Sequence, residues 1–117
     1  MPEFISYKLN GFQAFLLVDK EEAVSWAYLN LDSYVLQDAE TIESRRKEGL
    51  FSTLCKNILA WINTHDFGSE CVRLLSTDEA LSIYKKVGFE LVSSLSEEMY
   101  SGGGRHEMIY KKQVQEK

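Results

Sequence analysis

A chain of 117 residues supports one domain around a single modest core. With 44% hydrophobic and 26% charged residues, its composition is that of an ordinary globular protein and not of a disordered chain. A net charge of −5 argues against a general nucleic-acid binder and suits a cationic partner such as an amine, and no apolar run reaches the roughly 18 to 20 residues of a membrane span.

The N-terminus, Met-Pro-Glu-Phe, has no basic region followed by an apolar one, so a cytoplasmic protein is expected. The two cysteines, Cys55 and Cys71, fit no metal spacing. They read as reduced core thiols, and no metal site is expected.

The predicted elements begin with a strand over Phe4–Leu9, ended by Asn10-Gly11, the strongest short hairpin signal. A second strand, Phe12–Val18, closes at the polar turn 19–22. The third, Ala23–Leu31, is apolar on both alternating faces, which predicts a central strand covered on both sides. Asp32-Ser33 turns the chain into a fourth strand over Tyr34–Thr41, and four strands with tight turns read as an antiparallel meander.

Next come the charged loop 43–49 and an amphipathic helix to Thr64. In that helix Leu50, Leu54, Ile58 and Ile62 recur one turn apart and Phe51, Cys55, Leu59 and Trp61 widen the stripe. Gly68 is the expected left-handed stop. A buried strand over Glu70–Ser76 then makes the helix a crossover, so the fourth and fifth strands should be parallel neighbours.

Ser76-Thr-Asp-Glu79 has capping-box spacing ahead of a short helix, Glu79–Val87, closed by Gly88. Strands over Phe89–Ser93 and His106–Lys111 complete the chain. Between them lies a polar, glycine-ended segment, Ser94–Gly104, expected to be mobile, and Gln113–Lys117 is expected to fray. The fold class is α+β, with one mixed, mostly antiparallel sheet, a central β-α-β crossover and a second short helix.

Strand, basic glycine loop and helix N-terminus make a recipe for holding an anion. Unpaired amides point out of the helix start, the dipole is positive there, and Arg45, Arg46 and Lys47 add to the same field.

Arg46-Lys-Glu-Gly49, followed by Leu50 and Phe51, resembles the Arg/Gln-x-x-Gly-x-Gly/Ala pyrophosphate loop of the GCN5-related N-acetyltransferase (GNAT) superfamily. Ala80-x-x-x-Tyr84-x-x-x-Gly88-Phe89 resembles its tyrosine–glycine–phenylalanine helix signature. The resemblance covers about Phe12 to Lys111. It implies acetyl-CoA as co-substrate, held where the fourth and fifth strands splay apart, and an amine acceptor that is a small molecule or a protein.

By that resemblance the cofactor contacts are Leu36 and Thr41 on strand four, Arg45, Arg46, Lys47, Glu48, Gly49, Leu50 and Phe51 in the loop and helix start, and Thr77 and Tyr84 beyond the crossover. Tyr84 would protonate the departing thiolate, and Asp32, Asp38 or Glu40 would take the amine's proton.

Three residue patterns depart from the superfamily. Phe51 stands where Gly or Ala is usual, and Thr77 where Asn is. Asn10-Gly11 replaces the two helices that normally wall the acceptor site. That last departure predicts an open acceptor cleft and an uncovered sheet face, for which a homodimer is expected. A catalytically silent acyl-CoA- or protein-binding domain of the same fold is the alternative.

Overall fold

The computed structural model describes residues 2–96 and 104–113. Most of the segment expected to be mobile and all but the first residue of the expected tail lie outside the described residues.

Asn10 and Gly11, with φ of 42° and 85°, make the tight turn that joins β1 (Glu3–Leu9) to β2 (Phe12–Asp19). β3 (Glu22–Asn30) and β4 (Val35–Thr41) extend the antiparallel meander. A 3₁₀ turn at Glu43–Arg45, absent from the sequence reading, leads to α1 (Leu50–Thr64). β5 (Cys71–Ser76), α2 (Leu81–Val87), β6 (Glu90–Ser94) and β7 (His106–Lys111) follow. The seven strands form one sheet in the order β1-β2-β3-β4-β5-β7-β6. β4 and β5 are parallel, as the crossover requires, and the other pairs are antiparallel.

α1 lies across β2, β3 and β4, and α2 packs against α1 and β6. Leu50, Leu54, Cys55, Ile58, Leu59 and Ile62 form the buried face of α1. They meet Phe15, Leu17, Ala27, Leu29, Val72 and Leu74 of the sheet in one core. Each fully buried Leu, Ile or Phe there contributes about 1.5–3 kcal/mol by leaving water. Trp61 sets its edge on Phe15, with ring centroids 5.1 Å apart, and stacks on His65 at 4.5 Å.

Three local expectations are corrected. β3 is covered mainly on one side: Ser25, Ala27 and Leu29 are buried, whereas on the alternate face only Val24 is buried and Trp26 and Tyr28 are partly exposed. Apolar alternation reported an apolar face but not what covers it. α1 ends at Thr64 with His65 in extended backbone, so Gly68 is not its stop; Gly68 lies further on, against Tyr34. Ser76 does not cap α2. It is buried at the end of β5, its hydroxyl donates to the Thr77 carbonyl, and the Thr77 hydroxyl instead accepts the Ala80 amide at 3.2 Å.

Candidate active site

β4 and β5 part almost as soon as they meet. Their register holds only at Val35 with Arg73 and Leu36 with Leu74. β5 runs on to Ser76 paired with β7 alone. The edge of β4 beyond Leu36 therefore has backbone groups without a strand partner on the β5 side.

On its other side β4 carries a bulge: Tyr28 faces Gln37 and Trp26 faces Glu40, so two steps along β3 match three along β4. The inserted turn of backbone is marked by Asp38, whose φ of 56° is left-handed. The sequence offered no sign of it beyond the tolerance of aspartate for that conformation.

The chain leaves β4 through the 3₁₀ turn and enters α1 by way of Lys47 and Gly49, with φ of 70° and 78°. A Cβ on Gly49 would meet nothing within 4 Å, so glycine is favoured here by its backbone conformation and not by crowding. No side chain caps α1, and the helix ladder starts with the Thr53 amide on the Gly49 carbonyl at 3.0 Å. The amides of the first turn consequently lack intrahelical acceptors and suit an anion.

Two adjoining cavities, about 150 and 450 Å³, share Thr41, Arg46, Phe51 and Ile83. Arg45, Lys47, Gly49, Leu50 and Ser52 complete the smaller one, which is the loop-and-helix cradle. Ala39, Glu40, Thr77, Glu79 and Ala80 complete the larger, which lies along the open edge of β4.

Arg46 is anchored by its Nε donating to the Thr41 carbonyl at 3.1 Å, which leaves its terminal nitrogens for a ligand. Arg45 is committed elsewhere. It pairs with Glu48 at 3.0 Å and Asp19 at 2.9 Å, and these bonds, that of Glu48 first, raise its pKa further. Glu48, exposed and bound to Arg45, lines neither cavity, and nor does Leu36, buried at the last β4–β5 pair. Thr41 is fixed by a 2.8 Å bond between its hydroxyl and that of Ser25.

Tyr84 is 5% exposed and lines neither cavity. Its ring sits edge-on between Phe51 and Phe89, both centroid distances being 5.5 Å. Its hydroxyl makes no hydrogen bond among the described residues. Burial first, and then the neighbouring Cys55, push its pKa well above the tyrosine range, so the hydroxyl keeps its proton. Burial likewise pushes the Cys55 thiol up to about 12, which makes it an inert core thiol. Phe51 packs on the core and on the Tyr84 ring and also forms part of the cavity wall.

The two strand-four carboxylates part company. Glu40 lines the cleft, whereas Asp38 lines a separate cavity of about 320 Å³ with Leu9, Asn10, Phe12 and Tyr28. Asp32 lies in the exposed turn after β3 and lines none of these cavities.

No protein-family model matches the chain, and no curated protein matches it by sequence. Its structure is similar to solved ones. It superposes on the ribosomal-protein-S18-alanine N-acetyltransferase of Escherichia coli with a TM-score of 0.72 at 14% identity, over 93% of this chain and 75% of that one. It superposes on a dodecameric spermidine N-acetyltransferase of Vibrio cholerae with a TM-score of 0.67 at 18% identity, over 88% and 66%. A GNAT-family acetyltransferase of Staphylococcus aureus gives 0.66 at 15% identity, over 88% and 69%. The fold is that of the GNAT acetyltransferases: a mostly antiparallel seven-stranded sheet with two helices, as the sequence motifs implied.

Proposed function

We propose that this protein is an acyl-CoA-dependent N-acyltransferase, with acetyl-CoA as donor and an amine as acceptor. The observation that carries the reading is one continuous surface. The unpaired edge of β4 runs from the Leu36–Leu74 pair past Thr41 and Arg46 to the uncapped N-terminus of α1. Acyl-CoA matches that surface in order. Its thioester and pantetheine amides need a strand edge, and its pyrophosphate needs cations and free amides. Solved structures of this fold are N-acetyltransferases, which supports the same reaction class.

Arg46 and the first-turn amides of α1 would hold the pyrophosphate, with Lys47 adding charge. The β4 edge would pair with the pantetheine arm and polarise the thioester carbonyl. A neutral amine then attacks that carbonyl: a C–N bond forms, the C–S bond breaks, and CoA departs as a thiolate. The amine gives up one proton, for which Glu40 in the cleft is the candidate acceptor, and the thiolate gains one, for which Tyr84 is the candidate donor.

The alternative, a domain that binds acyl-CoA without turnover, draws support from Tyr84, which lines neither cavity and packs its ring on Phe51 of the cleft wall.

Calorimetric binding of acetyl-CoA, followed by thiol release across an amine panel, tests both readings. Arg46→Ala should weaken acetyl-CoA binding by about tenfold to a hundredfold, the loss of charge-assisted hydrogen bonds to phosphate. Binding without thiol release for any amine selects the silent domain, and no binding removes both.

A further inference from the structure

We infer that the cavity on the far side of the β4 bulge binds an organic ammonium ion, and that the acceptor is an amine carrying a second, spectator cation. For the fate of the bound molecule this rests on the acyl-transfer reading. The binding itself does not.

The cavity, about 320 Å³, has the size of a site for one small molecule. Phe12 and Tyr28, from adjacent strands, supply aromatic walls, Leu9 an aliphatic one, Asn10 an amide and Asp38 a carboxylate. Among the described residues no Lys, Arg or His lines it. A carboxylate with aromatic and aliphatic walls attracts a cation with an apolar body by ion pairing and cation–π contact, and it repels an anion.

Asp38 is exposed, and its carboxylate makes no hydrogen bond or ion pair among the described residues, so it is available for that role. It is also held there by backbone, because a left-handed aspartate inside a strand is an uncommon conformation that the bulge imposes.

The charge is partitioned across one strand. Arg45, Arg46 and Lys47 line the cradle at the end of the cleft, and among the described residues Asp38 alone supplies charge to the opposite cavity. The two sites converge at the bulge, because Asp38 lines one and its immediate neighbours Ala39 and Glu40 line the other. The uncharged thioester arm of an acyl-CoA and a bound cation would therefore meet at the bulge, with the pyrophosphate held at the far end of the cleft.

Asp38 grips and does not activate. A carboxylate beside an ammonium stabilises its protonated form, which cannot attack a carbonyl. The nitrogen held by Asp38 is thus not the nucleophile, and a productive acceptor needs a second nitrogen.

The test uses the whole chain, titrated calorimetrically without CoA by 1,6-diaminohexane, hexylamine and 1-hexanol, then assayed for thiol release with acetyl-CoA. Asp38→Asn is the informative variant, since asparagine also adopts the left-handed region and keeps the bulge. Both amines should bind at least tenfold more tightly than the alcohol. Asp38→Asn should reduce them to the level of the alcohol while acetyl-CoA affinity stays unchanged. Thiol release should be at least tenfold faster with the diamine than with hexylamine. Failure of the amines to bind, equal binding of amine and alcohol, or undiminished amine binding by the variant overturns the site. Equal turnover of the two amines overturns the spectator cation. Amine binding that depends on Asp38, in a protein that binds no acetyl-CoA, would leave the ammonium site standing and remove the acyl-transfer reading.

Discussion

Tyr84 owes its chemical character to burial. A tyrosine whose pKa is pushed upward keeps its proton near neutrality but is a weaker acid than usual, and a thiolate is a weaker base than its phenolate, so handing the proton to the departing CoA requires the bound cofactor to relieve that burial. Its ring packs on Phe51, which lines the cleft while Tyr84 does not, so such a transfer also requires the Phe51 side chain to shift when the thioester arm arrives. Tyr84→Phe isolates this role. The hydroxyl has no hydrogen-bond partner among the described residues, so removing it leaves no partner orphaned and keeps the ring packing with Phe51 and Phe89. Turnover should fall by about a hundredfold, the scale of a positioned general acid, with acetyl-CoA affinity within about twofold of the wild type. Steady-state kinetics beside calorimetry measures both, and an unchanged rate removes Tyr84 from the chemistry.

Among the elements, the turn between β5 and α2 is tied to the β6–β7 hairpin by one cluster. The Asp78 carboxylate accepts from His106 Nε2 at 2.6 Å and from Arg105 at 2.8 Å, and Ser94 lies 2.7 Å from His106 Nδ1. His106, first, and Arg105 hold the Asp78 pKa below its ordinary value. A carboxylate depressed in the folded state adds stability that is fully present above its unfolded pKa, near 3.8, and is lost as pH falls through the lower folded value. Asp78→Asn should therefore lower the melting temperature at neutral pH, and the gap to the wild type should narrow in acid, as pH falls below the unfolded pKa near 3.8 and through the lower folded value. Thermal unfolding of both proteins at neutral and acid pH checks this, and a gap that persists in acid would mean that charge is not its source.

The elements were also the part most legible in the sequence. Asn10-Gly11, the stripe from Leu50 to Ile62 and Gly88 fixed the strand and helix order because each reports a local backbone requirement. The Asp38 bulge, the edge-on packing of Tyr84 on Phe51 and the bond from the Ala80 amide to the Thr77 hydroxyl were not legible. Each depends on register or on neighbours distant in the chain, which residue spacing does not encode.

Across the whole molecule, the two faces of the sheet are unequal. α1 covers one. The other presents Ile5, Tyr7 and Leu9 at 37%, 46% and 48% exposure. The register extends this face inward: Ile5 lies opposite Leu16 and Leu16 opposite Trp26, while Tyr7 lies opposite Ala14 and Ala14 opposite Tyr28. An apolar patch spread over three strands favours a partner. At the two-residue β1–β2 turn the chain supplies no helix of its own to cover it.

A second copy is the occupant expected from the sequence. A stable dimer needs about 800 Å² from each partner, and seven strands spaced about 4.8 Å apart offer a face roughly 30 Å wide. Sedimentation at tens of micromolar should then report a dimer, and Ile5→Lys with Tyr7→Lys, at positions already wet, should yield a folded monomer; a wild type that stays monomeric rejects the pairing. Leu9 and Tyr28 belong both to this face and to the ammonium cavity. The second copy would thus wall that cavity as the missing helices would have done, so the monomeric variant should also bind 1,6-diaminohexane more weakly although neither substituted residue lines the cavity.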